Sequence, residues 1–297
     1  MFQTLQIEAI IRYTVTPETP LSIRRGNSNP LDPSSPDDQL VKFWRPGQWV
    51  PVIPGSSMKG VFRSRAEQIL KGNGLEVDDV FNKHNDSHTA QTVPNGGAGT
   101  HSRGRELYLH QCSASRLFGS LSLGSRIFFE DAIPEDPSTV VVGLRNGVGI
   151  NRLTGGSASN VLYNYEVVEA GEFTGRITLQ NFELWQLKLI VTLIQDLHEG
   201  RLRLGAATSR GLGRLRVVPE RLQIVFLDYR QGPERGRRPL RDAFNAVSAQ
   251  PMEWRADLLR ARAALEGMEA VMDFCRSLPS PSSELIPRKK KQAAQRR

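Results

Sequence analysis

The chain has 297 residues, 39% of them hydrophobic, and a formal charge of +8, enough to bury a sizeable core in one elaborated domain or two small ones. Two distant cysteines, Cys112 and Cys275, exclude a disulfide framework, and neither a run of about 18 apolar residues nor a basic-then-apolar leader occurs, so a soluble cytoplasmic protein with no membrane partner is expected. Six of the cations lie in residues 288–297; subtracted from +8 they leave +2, so the charge balance alone does not identify a nucleic-acid partner.

Residues 5–15 alternate apolar Leu5, Ile7, Ala9, Ile11, Tyr13 and Val15 with polar neighbours, the pattern of a half-buried strand, which Pro17 and Pro20 end. Residues 21–50 hold Arg24, Arg25, several prolines and Asp32, Asp37 and Asp38, and read as a long irregular loop of the kind that is functional or disordered. In Ile53-Pro54-Gly55-Ser56-Ser57-Met58-Lys59-Gly60, Pro54 and Gly55 supply turn chemistry and Ser56 or Ser57 an N-cap. Met58, Val61, Phe62, Ala66, Ile69 and Leu70 then form one apolar helical stripe, while Lys59 and Arg63 stand four apart on another face. A helix N-terminus with free N–H groups and two nearby cations suits a phosphate; an ordinary capped helix with solvated cations has the same pattern.

Residues 72–105 are rich in Gly, Asn, Ser and Thr and carry His84, His88 and His101, with His110 and Cys112 close behind. His84-x3-His88 with His101 and Cys112 would complete a tetrahedral zinc site, the alternative being a mobile polar insertion with incidental histidines. Arg116-Leu117-Phe118-Gly119 reads as a turn, followed by a strand containing Ile127, Phe128 and Phe129. The Gly- and Ser-rich excursion between Arg145 and the residues around Glu166 carries Arg152 and can approach a phosphate backbone closely, or is a solvent loop with two arginines.

A strand over 173–180 and an amphipathic helix through Leu184, Leu187, Val191, Ile194 and Leu197 follow. From Gly200 to Pro219 there are five arginines and no acid, and within this stretch runs Gly205-Ala206-Ala207-Thr208-Ser209-Arg210-Gly211-Leu212-Gly213-Arg214. Its glycines let the backbone reach phosphates without Cβ hindrance, and Arg210 and Arg214 offer bidentate donors. One more strand over 222–226, a charged turn over 230–239 and a helix over 254–278 complete the body. The Pro- and Ser-rich, then basic, stretch 280–297 reads as a disordered tail that adds nonspecific affinity for polyanions.

Four of these segments, in order over about residues 5–218, resemble the RAMP superfamily of CRISPR proteins, and in particular the repeated backbone subunit of type III effector complexes. They are the Ile53–Gly60 motif with Arg63, the Leu117-Phe118-Gly119 segment with Asp131-Ala132, the stretch from Arg145 through Ile150-Asn151-Arg152 to Glu166, and the glycine-rich loop 205–214. The resemblance implies an α+β, modified ferredoxin-like (RRM-like) fold with a thumb-like β-hairpin insertion and an irregular insertion after the first helix. It implies a division into a core over 1–218, including the insertion 72–111 and the thumb 143–170, a C-terminal strand and helix over 219–279 packing on that core, and the tail 280–297. It also implies guide-RNA contacts from Ser56, Ser57, Lys59, Arg63, Arg145, Arg152, Ser209, Arg210, Gly211, Gly213 and Arg214.

In that family the loop before the Ile-Pro-Gly-Ser-Ser helix carries an Asp that supports target-RNA cleavage. Asp38 is the first choice here and Asp37 the second, although the match needs an extra residue in the turn Arg45-Pro46-Gly47-Gln48 and lacks the family's small residues before the Asp. One Asp cannot hold Mg²⁺ tightly, so phosphate oxygens of a bent RNA would complete the coordination. Two further departures stand out: Cys112-Ser113-Ala114-Ser115 lacks the second Cys of a zinc-binding Cys-x-x-Cys, and Asn151 replaces an Asp. The implied function is guide (crRNA) binding and metal-dependent cleavage of target single-stranded RNA in antiviral defence, beside neighbouring RAMP backbone and other effector subunits. The alternatives are an inactive RNA-holding scaffold of the same complex, and a crRNA-processing endoribonuclease using a histidine.

Overall fold

The computed structural model describes residues 5–26, 36–79, 100–227, 255–257 and 260–286. The core is a βαββαβ unit. Strand β1 (Ile7–Pro17) is followed by helix α1 (Gly55–Gly72), strand β4 (Ile127–Phe129), strand β8 (Phe173–Gln180), helix α4 (Leu184–His198) and strand β9 (Leu215–Phe226). All neighbours pair antiparallel in the order β9-β1-β8-β4, so the second core strand lies at one side and the first and third are central. That order defines a ferredoxin-like α+β fold.

The alternation in β1 decides the layering. Ala9, Ile11, Tyr13 and Val15 are fully buried and meet Phe173, Ile177 and Leu179 from β8 and Leu215, Val217, Leu222 and Ile224 from β9. Met58, Phe62, Ala66 and Leu70 bring the predicted stripe of α1 onto this face, with Val61 and Ile69 packed at its margin. Helix α4 is buried nearly all round, because α5 (Met268–Ser277) covers the side that the sheet does not.

Between these core elements lie a small hairpin, β2 (Lys42–Arg45) with β3 (Gln48–Pro51), helices α2 (Thr100–His110) and α3 (Ser113–Phe118), the short strand β5 (Ile133–Pro134), and a long hairpin, β6 (Val141–Ile150) with β7 (Ser157–Ala170). The stretch 21–50, expected to be irregular throughout, thus contains a regular hairpin turned by Pro46 and Gly47, whose φ of +91° is open to glycine. The expected turn at Arg116 is the helix α3, capped by the Cys112 thiol accepting from Ser115 N and ended by Gly119 at φ +87°.

The C-terminal region departs furthest from the expectation. The strand expected over 222–226 is the second half of β9, which runs on through Pro219 with an irregularity opposite Arg12 and Tyr13. The helix expected over 254–278 is a hairpin, β10 (Arg255–Asp257) with β11 (Arg260–Glu266), followed by α5, and Gly267 at φ +82° makes the break. The free edge of β9 takes β11 as its next strand, and ladder hydrogen bonds outweigh the helix propensity of the alanines at 261, 263 and 264.

Candidate nucleic-acid interface

The end of the sheet where β1 finishes and β9 begins carries the glycine-rich loop, strand β7 and Asp38. The glycine-rich loop is clamped there by its backbone. Ala206 N donates to Ser22 O at 2.8 Å, Gly213 N to Pro20 O at 3.0 Å, and Leu204 N to Gly213 O at 3.0 Å. A Cβ on Gly205 would lie 2.5 Å from Ser22 O and one on Gly213 2.0 Å from Leu204 O, so these two glycines serve close backbone approach. Thr208–Arg210 form a 3₁₀ turn at the tip, where Ser209, Arg210 and Gly211 are exposed.

The five arginines of this region are not equivalent. Arg201 pairs with Asp196 and Glu199, Arg214 pairs with Glu18 at 2.7 Å, and Arg203 donates to Thr208 O at 3.1 Å. Arg210 instead donates to the Tyr163 hydroxyl at 2.9 Å, a neutral partner that leaves its charge uncompensated and raises its pKa further. Tyr163 lies on β7 and stacks on Tyr165 with centroids 5.9 Å apart. The Arg24 guanidinium stands 4.8 Å above the Tyr165 ring and pairs with Asp38. Arg210, Tyr163, Tyr165, Arg24 and Asp38 therefore form one unbroken string from the glycine-rich loop to the candidate carboxylate.

Strand β7 organises that string because three neighbours use it. It pairs with β6 along its length, bridges to Leu21 at Val168, and bridges in parallel to Asp38 at Tyr165. Asp37 fastens the same contact, accepting from Asn164 N at 2.8 Å while its own N–H donates to Asn164 Oδ1 at 2.9 Å. Gly147, opposite Tyr163, is required by the ring, since a Cβ there would come 2.2 Å from it. Arg145 faces Tyr165 across the hairpin and lies 3.5 Å from Glu169, while Arg152 is exposed at the turn.

The start of α1 differs from the sequence expectation. Pro54 is the cap and makes no side-chain bond; Ser56 and Ser57 sit inside the first turn. The carboxylate of Asp131 accepts from Gly55 N at 2.8 Å, so an internal anion already sits at the positive helix end. A Cβ on Gly55 would lie 2.3 Å from Phe129 O, which explains the glycine. Lys59 donates to Ser125 Oγ at 3.0 Å, and burial, then the nearby Arg63, lower its pKa. Arg63 pairs with Glu67 at 2.9 Å and donates to Gly119 O at 3.0 Å.

Lys59 and Arg63 lie away from the end of the sheet that carries the glycine-rich loop: their partners Ser125 and Gly119 precede β4, whose Ile127 aligns with Leu179 and so with Ala9 in the first half of β1. Single backbone hydrogen bonds link the glycine-rich loop to the entry of α1, from Ala206 N to Ser22 O, from Val41 N to Ile23 O at 3.0 Å and from Val52 N to Val41 O at 3.1 Å.

For the zinc expectation, His84 and His88 lie outside the described residues, as does the side chain of His101. Cys112 is 1% exposed and its sulfur is engaged with Ser115 N and Oγ as the α3 cap. Among the described residues no group of three or more His, Cys, Asp or Glu side chains is gathered around a common point. Nor, among them, is any helix long and apolar enough to cross a membrane.

Sequence reasoning missed Asp131 as the partner of α1, 76 residues from Gly55 in the chain, and no local signal marks it. It also missed the roles of Tyr163, Tyr165 and Arg24; the alternating tyrosines of β7 were the available cue. A buried network escaped too. Tyr108 lies under the guanidiniums of Arg126 (4.0 Å) and Arg116 (5.2 Å), and its hydroxyl meets Glu183, which also accepts from Trp185 Nε1 at 2.6 Å.

A ferredoxin-like sheet with a glycine-rich, arginine-tipped loop clamped at one end defines a class of RNA-binding protein. The sequence model of the RAMP superfamily matches residues 14–216, from within β1 to the start of β9. The chain belongs to that superfamily of CRISPR-associated proteins, which bind RNA and act in multisubunit complexes. A search of curated proteins found no match.

Proposed function

We propose that the chain is a backbone subunit of a type III CRISPR effector complex, holding guide RNA and cleaving target RNA beside Asp38. The observation that supports this most is the string from Arg210 through Tyr163 and Tyr165 to Arg24 and Asp38, which joins a phosphate-binding loop to a carboxylate through an aromatic strand. Arg210, Arg152 and the exposed loop tip would hold backbone phosphates, with Lys59 and Arg63 contributing after exchange of their present partners. Aromatic rings on β7 fix the distance between loop and carboxylate, so a bound strand is presented to Asp38 in one register.

A divalent cation, when bound, would stabilise charge on the leaving oxygen. Asp38 would hold it with Asp37 as the alternative, and the fit depends on RNA. Arg24 now neutralises Asp38, and Asp37 accepts from Asn164 N, so phosphate oxygens must supply the remaining ligands. The Arg24–Asp38 pair is also what favours a second reading, an RNA-holding scaffold without cleavage.

Two experiments separate these readings. RNA copurifying with the chain from its host is sequenced; discrete CRISPR-derived species are expected, and random cellular fragments would refute the assignment to an effector complex. In the assembled complex with Mg²⁺, Asp38→Ala is expected to abolish cut sites while leaving RNA bound. Unchanged cutting with Asp38→Ala and with Asp37→Ala would remove both from the mechanism, and no cutting by the parent complex would establish the scaffold.

A further inference from the structure

The β2–β3 hairpin displays two indoles that the core does not use. Trp44 and Trp49 face each other across it, edge to face at 5.5 Å, and are 57% and 63% exposed. Such exposure of a paired indole on a four-residue hairpin gives up burial that would otherwise stabilise the fold. Trp49 forms one wall of an open groove of about 430 Å³, whose other walls are Arg25, Gln39, Leu40, Val41 and Lys42. The groove begins one residue after Asp38.

We propose that this groove is a nucleobase-binding site: one base of a single-stranded RNA stacks on Trp49, and its flanking phosphates meet Arg25 and Lys42. This rests on the RNA-binding reading above but adds a site outside the motifs that support it. Three features select the ligand. An exposed indole face offers stacking to any base, which makes such contacts sequence-tolerant. The cations around it give the groove a positive rim. Arg25 is exposed at the mouth. Lys42 is held at 2.8 Å by Glu166, a pair that a phosphate can exchange. The Gln39 amide supplies a donor and an acceptor, able to meet the edge of either a purine or a pyrimidine. A protein partner would find an indole pair ringed by cations rather than the wide apolar face that such interfaces bury.

Position gives the site its use. Strand β2 is continuous with the segment that carries Asp38, and Leu40 is tied through Glu166 Oε2 at 2.9 Å to the same β7 strand that holds Asp38. A base seated on Trp49 would occupy a groove whose wall begins at Gln39, the residue next to that carboxylate.

The test uses the purified full chain with a 12-nucleotide oligouridine, an abasic strand of equal length, and tryptophan emission excited at 295 nm. Of the other two tryptophans Trp185 is 1% exposed and Trp254 lies outside the described residues, so quenching at the hairpin is identified by its loss in Trp44→Leu and Trp49→Leu. Oligouridine is expected to quench emission, and Trp49→Leu to weaken its binding by roughly 5- to 150-fold, the range for one stacked base. Trp49→Phe restores most of the affinity, and the abasic strand binds parent and variants alike.

If oligouridine binds but Trp49→Leu changes neither affinity nor quenching, the site is refuted and the RNA-binding reading stands. Equal losses for oligouridine and the abasic strand would refute stacking in favour of a general electrostatic or structural effect. Unchanged RNA binding with a change in sedimentation would reassign the hairpin to a protein interface. Failure of the parent chain to bind either strand would overturn both readings together.

Discussion

Gly211 and Gly213 stand two residues apart in the glycine-rich loop, both in the left-handed region at φ +94° and +79°. Their surroundings differ completely. A Cβ on Gly211 meets nothing within 4 Å, whereas one on Gly213 would lie 2.0 Å from the Leu204 carbonyl oxygen, a backbone atom. Gly211→Ala therefore carries only the left-handed penalty, about 1–2 kcal/mol. Gly213→Ala carries the same penalty and must also push the loop off its clamp. That loosens the bonds from Gly213 N to Pro20 O and from Leu204 N to Gly213 O, each worth about 0.5–1.5 kcal/mol. The expected losses are about 1–2 kcal/mol at Gly211 and about 2–5 kcal/mol at Gly213. Urea unfolding of the two variants and the parent, fitted with a common m-value, measures the difference. RNA binding should follow the same order, because the clamp sets where Arg210 points. Equal destabilisation by the two substitutions, or a larger effect at Gly211, would refute the claim that close backbone approach, rather than conformation alone, fixes the loop.

Gly147→Ala places a Cβ against the Tyr163 ring and should lower RNA affinity several-fold by displacing the Arg210 partner, with thermal stability little changed because the Tyr163 ring that must give way lies outside the core cluster; filter binding and a melting curve check both halves. Glu183→Ala removes the carboxylate that faces Tyr108 beside the buried Arg126, and should cost about 3–5 kcal/mol in denaturant unfolding, as breaking a buried charged network does. For Lys59, burial depresses the folded pKa, so the folded state binds that proton less tightly than the unfolded one. One lysine Nζ resonance should titrate below the others and vanish in Lys59→Met. Bound phosphate should move it upward, and the Lys59 contribution to RNA affinity should fade as pH rises through the depressed value.

The periodic elements were legible because their alternation is local. Ile7 to Val15, Met58 to Leu70 and Phe173 to Gln180 each state their own buried face, and the order of helix and strand then permits few topologies. The glycine-rich loop was legible for the same reason, since its glycines and arginines are contiguous. The C-terminal region was not. Residues 260–266 are all good helix formers, as are the first three of α5, and what makes 260–266 a strand is the unpaired edge of β9, which is far away in sequence. The site was half visible. Arg210 and Asp38 were chosen from their segments, but the tyrosines that link them, and the Asp131 carboxylate that closes α1, depend on contacts spanning 47 and 76 residues.

Among the described residues the outermost strands of the sheet are short on both flanks, three residues in β10 on one side and three and two in β4 and β5 on the other. Long unpaired ladders invite another chain to add itself by main-chain hydrogen bonding, and such stubs offer little purchase for that. A second copy of this chain would thus find little edge on which to extend the sheet, which stays a closed unit rather than a segment of a growing one.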